Sequence, residues 1–271
     1  MPAPNAEMLS KLAKCNFISK RINLPIDWSE PGSQFPDAFK EKERTTTPNS
    51  PLTLFKESSL NKYHVETAKE ISDLISEYIE GVTRAVCKGI DFWMKMAIVA
   101  GVSINGPIGL ILPGCIAGPL ISPVIFAKAP KKSAQETKYS SAIANAIGKS
   151  WQSWHIGLTG VLSYPLFALS PSPIAPPTPN VPLPLIALTS VGEIELSPKI
   201  LKQSMETNFA DPKSLHSSDI FDAVSKSVNT VFQTFKMTTV IQGVMGTGPV
   251  PSFPAGPVIG GTVIPKPNVI I

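Results

Sequence analysis

Ala97–Ala127 runs for 31 residues without a charged side chain. By length it matches a membrane span, which needs about 20 apolar residues in a row. Pro107, Pro113, Pro119 and Pro123 interrupt it. Each proline inside a helix removes a donor and clashes with the preceding turn, at about 3 kcal/mol. A bilayer core does not tolerate irregular backbone facing lipid. The segment therefore reads as an extended, partly polyproline arm packed against protein.

An amphipathic helical pattern leads into this arm. Val82, Val86, Ile90 and Trp93 are followed by Gly101-Val102 and Gly106-Pro107. The same figure returns as Val224, Val228, Phe232, Phe235, Gly243-Val244 and Gly248-Pro249, each 142 residues later. A looser middle copy has Ile143, Ile147, Trp151 and Trp154, then Gly160-Val161 and Pro165. The reading is a mainly α chain of three helix-plus-apolar-Gly/Pro-arm repeats, with long irregular segments and little sheet. Its organisation is an N-terminal short helix and extended arm over residues 1–60, then one repeat-built α domain over 61–271. The units fall at about 61–130, 131–196 and 212–271.

Local signals fill in the elements. Met8, Leu9, Leu12, Phe17 and Ile18 predict a short amphipathic helix within Asn5–Ile22. Asn23–Pro51, broken by Pro31-Gly32, Pro36 and Pro48, reads as an extended arm or loop. Apolar residues every three or four positions from Val65 to Trp93 predict a helix over Ser58–Ile98. Gly81 and Gly89 inside it imply a kink or a close contact. Ser133 with Glu136 fits a capping box opening a helix to about His155. Ser197-Pro198 looks like an N-cap and first helical residue, with the helix ending near Asn208. Ser217 or Ser218 caps a last helix that fades near Gly243. Thr262-Val263-Ile264 alternates like an extended strand. A bare apolar end, Val269-Ile270-Ile271, must dock to stay out of water.

Charge is distributed unevenly. Up to Met96 there are 13 basic and 13 acidic residues; from Ala97 onward there are 11 and 7. Charged residues total 16%, against about 25% in ordinary soluble domains. Bare apolar surface marks interaction sites, so the charge-poor part is expected to meet other subunits. The net charge of +4 does not by itself argue for nucleic acid. Cys15, Cys87 and Cys115 show no metal spacing, and their odd number argues against a disulfide framework; they read as small buried hydrophobes. Met1–Asn23 has no apolar core of a signal peptide.

No catalytic motif competes with this construction. Ile147-Gly148-Lys149-Ser150 ends like a phosphate-binding loop but lacks the earlier glycine and the strand. Gly101-Val102-Ser103-Ile104-Asn105 lacks the second glycine of a nucleophile elbow. His64, His155 and His216 are far apart in sequence and outside ligand spacing. Asp91, Glu193 and Glu195 are the acids a carboxylate pair would draw on. The expectation is a non-enzymatic protein with no catalytic, cofactor-binding or metal residues and no cofactor. The interaction residues expected are Pro107, Pro113, Pro119, Trp151, Trp154, Pro176, Pro182, Pro249, Pro257 and Ile271. Membrane activity, as an effector or pore former, is the alternative, motivated by the charge-free segments.

Asn105-Gly106-Pro107, the run Pro176–Pro184 and the run Gly246–Pro251, with their helices, resemble in style the virion proteins of tailed bacteriophages and components of related contractile injection machines. The resemblance covers roughly residues 80–271 and carries over no functional residue. It implies a structural role in a head, neck, tail or baseplate, with other particle proteins and copies of itself as partners. It also implies residence in a virion or an assembled extracellular or cytoplasmic particle. No nucleic-acid partner is expected.

Overall fold

The computed structural model describes residues 4–19, 59–211, 214 and 216–271. The arm expected over Asn23–Pro51 lies outside them. Contacts divide the chain into Met1–Phe17 with Ile79–Ile271, and Ile18–Tyr78. Apart from Ile18 and Ser19, the described part of the second unit is the opening of one long helix. Everything below concerns the first.

The helices follow the sequence signals closely. α1 (Ala6–Ile18) is capped by Asn5, whose Oδ1 accepts from the Glu7 amide at 2.9 Å. It buries Leu9, Ala13 and Phe17, and Lys14 pairs with Glu80 at 2.5 Å. α2 spans Ser59–Met96. At Gly89 an added Cβ would lie 2.7 Å from Ile125 Cγ1, so the glycine serves a close approach. α3 (Ser122–Lys128) was not foreseen. Its Pro123 sits in the first turn, where the missing donor costs nothing. α4 (Ala134–Ile156) opens on Ser133, which accepts from the Glu136 amide at 3.1 Å. Glu136 in turn accepts from the Lys132 amide at 2.6 Å, one residue before the cap. α5 (Pro198–Phe209) has Pro198 in its first turn as expected. α6 (Ser217–Thr238) has His216 at its N-cap position, not Ser217 or Ser218 as expected, with no side-chain cap hydrogen bond, and it stops five residues before Gly243.

The arms are where the expectation fails. The chain is mixed α/β, and what reads as irregular Gly/Pro string is strand. In chain order these are β1 (Ile98–Val99), β2 (Ser103–Asn105), β3 (Ile108–Ile111), β4 (Ile116–Ala117), β5 (Leu158–Ser163), β6 (Ile174–Pro179), β7 (Leu183–Pro184), β8 (Thr189–Ser190), β9 (Val240–Ile241), β10 (Met245–Pro249) and β11 (Ile259–Ile264). Seven form one sheet in the order β6-β10-β11-β2-β3-β5-β8, antiparallel at every pairing. Two small pairs, β1-β4 and β7-β9, stand beside it.

The physical reason is that the prolines occupy the places a sheet allows. Gly106-Pro107 forms the two-residue turn between Asn105 and its partner Ile108, with Gly106 at φ +58. Glycine first in a two-residue hairpin loop is the choice that matches strand twist. Pro176, Pro177 and Pro179 sit on β6 at the sheet edge, where no further ladder donor is required and stray pairing is blocked.

The sheet curls on itself. β5 and β6 lie far apart in the strand order, yet the Val181 amide just after β6 donates to the Ser163 carbonyl ending β5 at 2.9 Å. Strands so short show little alternation in sequence: β2 buries only Ile104. The inner face mixes large side chains with glycines. A Cβ on Gly246 would stand 2.8 Å from Ile104 Cδ1 and 2.9 Å from both the Phe167 and Tyr164 rings. Much of the glycine that reads as flexible arm is thus inner-face packing space.

The C-terminus docks as expected. Val240 and Ile271 exchange backbone hydrogen bonds of 2.8 and 3.0 Å, and Gln242 donates to Val269 at 2.9 Å.

Candidate functional site

Two regions concentrate the residues singled out from sequence. The first is an aromatic knot where α2, α4 and α6 converge. Trp93 of α2 meets Trp151 of α4 edge-on at 5.3 Å, and Trp154 meets Phe232 of α6 at 5.0 Å. Trp151 and Trp154 meet edge-on, with ring centroids 4.7 Å apart. All three tryptophans are buried, and none of their indole N–H groups has a hydrogen-bond partner. Aromatic faces surround them, and edge-to-face contacts of this kind add about 0.5–1.5 kcal/mol beyond burial. Trp151 and Trp154 are therefore core, and a partner cannot reach them.

His155 lies in the same knot, 5.4 Å from Trp93. Its Nδ1–H donates to the Trp151 carbonyl at 2.9 Å. Burial holds its pKa below the ordinary histidine range, against the smaller opposing effect of that hydrogen bond. Among the described residues, no three His, Cys, Asp or Glu gather where they could hold a metal. Asp91 pairs with Lys95 at 2.6 Å, while Glu193 accepts from Lys236; each acid is engaged with its own cation. Gly148 lies within α4 because a Cβ there would run into Ser122, which explains the phosphate-loop likeness as helix packing. Burial raises the Cys87 thiol to about 12. Cys115 is buried with it, while Cys15 is exposed, against the expectation of three buried thiols.

The second region is the far end of the curled sheet. Three chain reversals meet there: the 106–107 turn, the segment 164–170 and the loop 250–258. Backbone hydrogen bonds tie them together. Tyr164 donates to Pro107 at 2.8 Å, Gly106 to Val258 at 2.6 Å, Val258 to Phe167 at 3.0 Å and Ser170 to Gly256 at 2.8 Å. Burial drives the Tyr164 hydroxyl pKa upward; it donates to the Val244 carbonyl at 3.2 Å. No charged residue occurs in residues 97–127, 150–192 or 237–265, so this end carries none. Its surface holds Leu166 and Leu169, about two-thirds exposed, and Phe253, half exposed.

The remaining residues expected to mediate contacts divide between these regions. Pro107, Pro249 and Pro257 are exposed at this tip, and Pro176 is exposed on β6. Pro113 and Pro182 are exposed elsewhere, Pro119 is half-buried, and Ile271 is half-buried beside β9. The sequence reading missed Leu166, Leu169, Phe253, Ile108, Ile174 and Ile259. A two-residue period around each proline was the available signal, blurred by the shortness of the strands. Comparison of the chain with protein-family models, with curated proteins and with solved structures finds no match.

Proposed function

We propose that this chain is a non-enzymatic structural component of a large multi-subunit particle, of the kind its sequence resembles in tailed phages and contractile injection machines. The uncharged sheet and tip carry this reading. The apolar arms bury one side within their own chain, not against companions alone as the sequence suggested. The other side stays open: Ile108, Leu110, Val161, Ile174 and Ile259 are each between 44% and 66% exposed. Monomers keep large contiguous apolar patches rare, and burial against a neighbour returns about 25 cal/mol per Å² of apolar surface. The helices turn their apolar faces into the aromatic core; the sheet end supplies the contact.

Light scattering on the purified full-length chain across a concentration series tests this. Self-association, or a stable complex with other particle proteins, is the expected result. A monodisperse monomer at high concentration that binds none of them overturns it. Membrane activity is the second reading, favoured by Leu166, Leu169 and Phe253 on an uncharged tip. Among the described residues no helix is long and apolar enough to cross a membrane. Flotation with phospholipid vesicles separates the two readings: a chain that rises with vesicles and stays monomeric without them favours the membrane.

A further inference from the structure

The strand pairing closes on itself in threes. Three helices, α2, α4 and α6, each lead into an outgoing strand: β2, β5 and β10 respectively. These three are alternate members of the antiparallel sheet and so run parallel to one another. Each is followed by a returning strand, β3, β6 or β11, that pairs with the outgoing strand of the next unit. The register repeats as well. The first residue of each returning strand faces the last residue of the next outgoing strand: Ile108 faces Ser163, Ile174 faces Pro249 and Ile259 faces Asn105. The helix ends obey the same rule, since Trp93, Trp154 and Phe235 meet in one knot.

Finer detail agrees between the first and third units. α2 and α6 end at Met96 and Thr238, 142 residues apart. Gly101 and Gly243, also 142 apart, share positive φ values of +67 and +75. Val99 pairs with Ile116 as Ile241 pairs with Ile270. The open seam is in the middle unit, where β5 and β6 are bridged by the Val181–Ser163 hydrogen bond instead of a ladder.

We infer that this single chain is built as a homotrimer is built, and that its uncharged tip seats on the threefold axis of a homotrimeric protein whose end is equally uncharged and apolar. Ile108, Ile174 and Ile259 are the contact set. They hold the same place in the three units and are 52%, 66% and 51% exposed. Symmetric assemblies meet through repeated equivalent patches. A ring of three like side chains presents that repeat to a threefold partner, and presents only one of the three to an asymmetric one. An aspartate or lysine on the partner's end would lose water here and find no counter-charge, so the partner's face is apolar.

This rests on the assembly reading above, and the test separates the two. The tagged full-length chain is expressed in its natural host, recovered with what it holds, and its copies are counted by native mass spectrometry. One chain with a multiple of three copies of one partner polypeptide is expected. Ile108→Asp, Ile174→Asp and Ile259→Asp, made singly, should each weaken that complex about tenfold and to a similar degree. Ile→Thr at the same sites keeps strand propensity and should weaken it less than Asp, again to a similar degree at each site; circular dichroism checks the fold of every variant. A complex at one-to-one or one-to-two, or one that ignores the three isoleucines, overturns this inference and leaves the assembly reading standing. Recovery of the chain alone as a monomer overturns both, recovery as a self-oligomer alone overturns this inference only, and recovery with lipid vesicles in place of protein overturns both in favour of the membrane.

Discussion

At the scale of residues, the aromatic positions in the repeat carry the core. Trp154 is fully buried among Trp93, Trp151 and Phe232. Trp154→Ala is expected to cost about 3–5 kcal/mol, as large aromatic truncations in cores do, read from urea unfolding. His155 gives a pH signature. Its folded pKa lies below the ordinary value of 6.5 because burial penalises the charged ring. The unfolded chain therefore takes up the proton first, and stability rises with pH through this range. Stability should be at its full value above 6.5 and fall as the pH drops below it. His155→Gln should flatten that slope, and chemical denaturation at a series of pH values measures it. Gly246 is the third case. Gly246→Ala drives a methyl into Ile104, Phe167 and Tyr164 and should cost about 1–3 kcal/mol from overpacking, seen as a lower urea midpoint.

At the scale of elements, all helices but α3 were legible, and strands were not, apart from the alternation at Thr262-Val263-Ile264 in β11. α4 and α5 begin where Ser133 and Ser197-Pro198 place them, because capping and proline chemistry are local. The strands are two to six residues long, so one buried position such as Ile104 is all the alternation β2 displays. Proline then hides them further, since its prohibition holds for helix interiors and central strands but not for turns and edges. Gly106 shows the turn's demand. At φ +58 a side chain is strained, so Gly106→Ala should lose about 1–3 kcal/mol, while Pro107→Ala should lose far less; thermal melts of the two variants compare them. The docked end makes a similar point. Ile270 is buried against β9, and Ile270→Ala should cost about 2–5 kcal/mol, measured in the same melts.

At the scale of the whole molecule, polarity is separated along the chain's construction. Helices hold the ion pairs, such as Lys14–Glu80 and Lys226–Asp222, and the sheet end holds no charge at all. Surfaces of this kind promote association because nothing repels a second apolar face. Replacing Leu166 and Leu169 together by Asp, two exposed tip residues, should leave the melting temperature nearly unchanged and raise solubility. Scattering against concentration would then show weaker association than the parent chain.

The amino-acid sequence alone determined the main helices, the Ser133 cap of α4, the 142-residue echo and the uncharged segments, because each depends on neighbours within a few positions or on composition. Only the tertiary structure decided that most segments between helices pair as strands, that Trp151 and Trp154 point inward, and that Ile108, Ile174 and Ile259 hold equivalent places in the strand pairing. Strand pairing joins residues as far apart as Asn105 and Ile259. Such a pairing is fixed by what the curled sheet can enclose, and no local window of side chains contains that information.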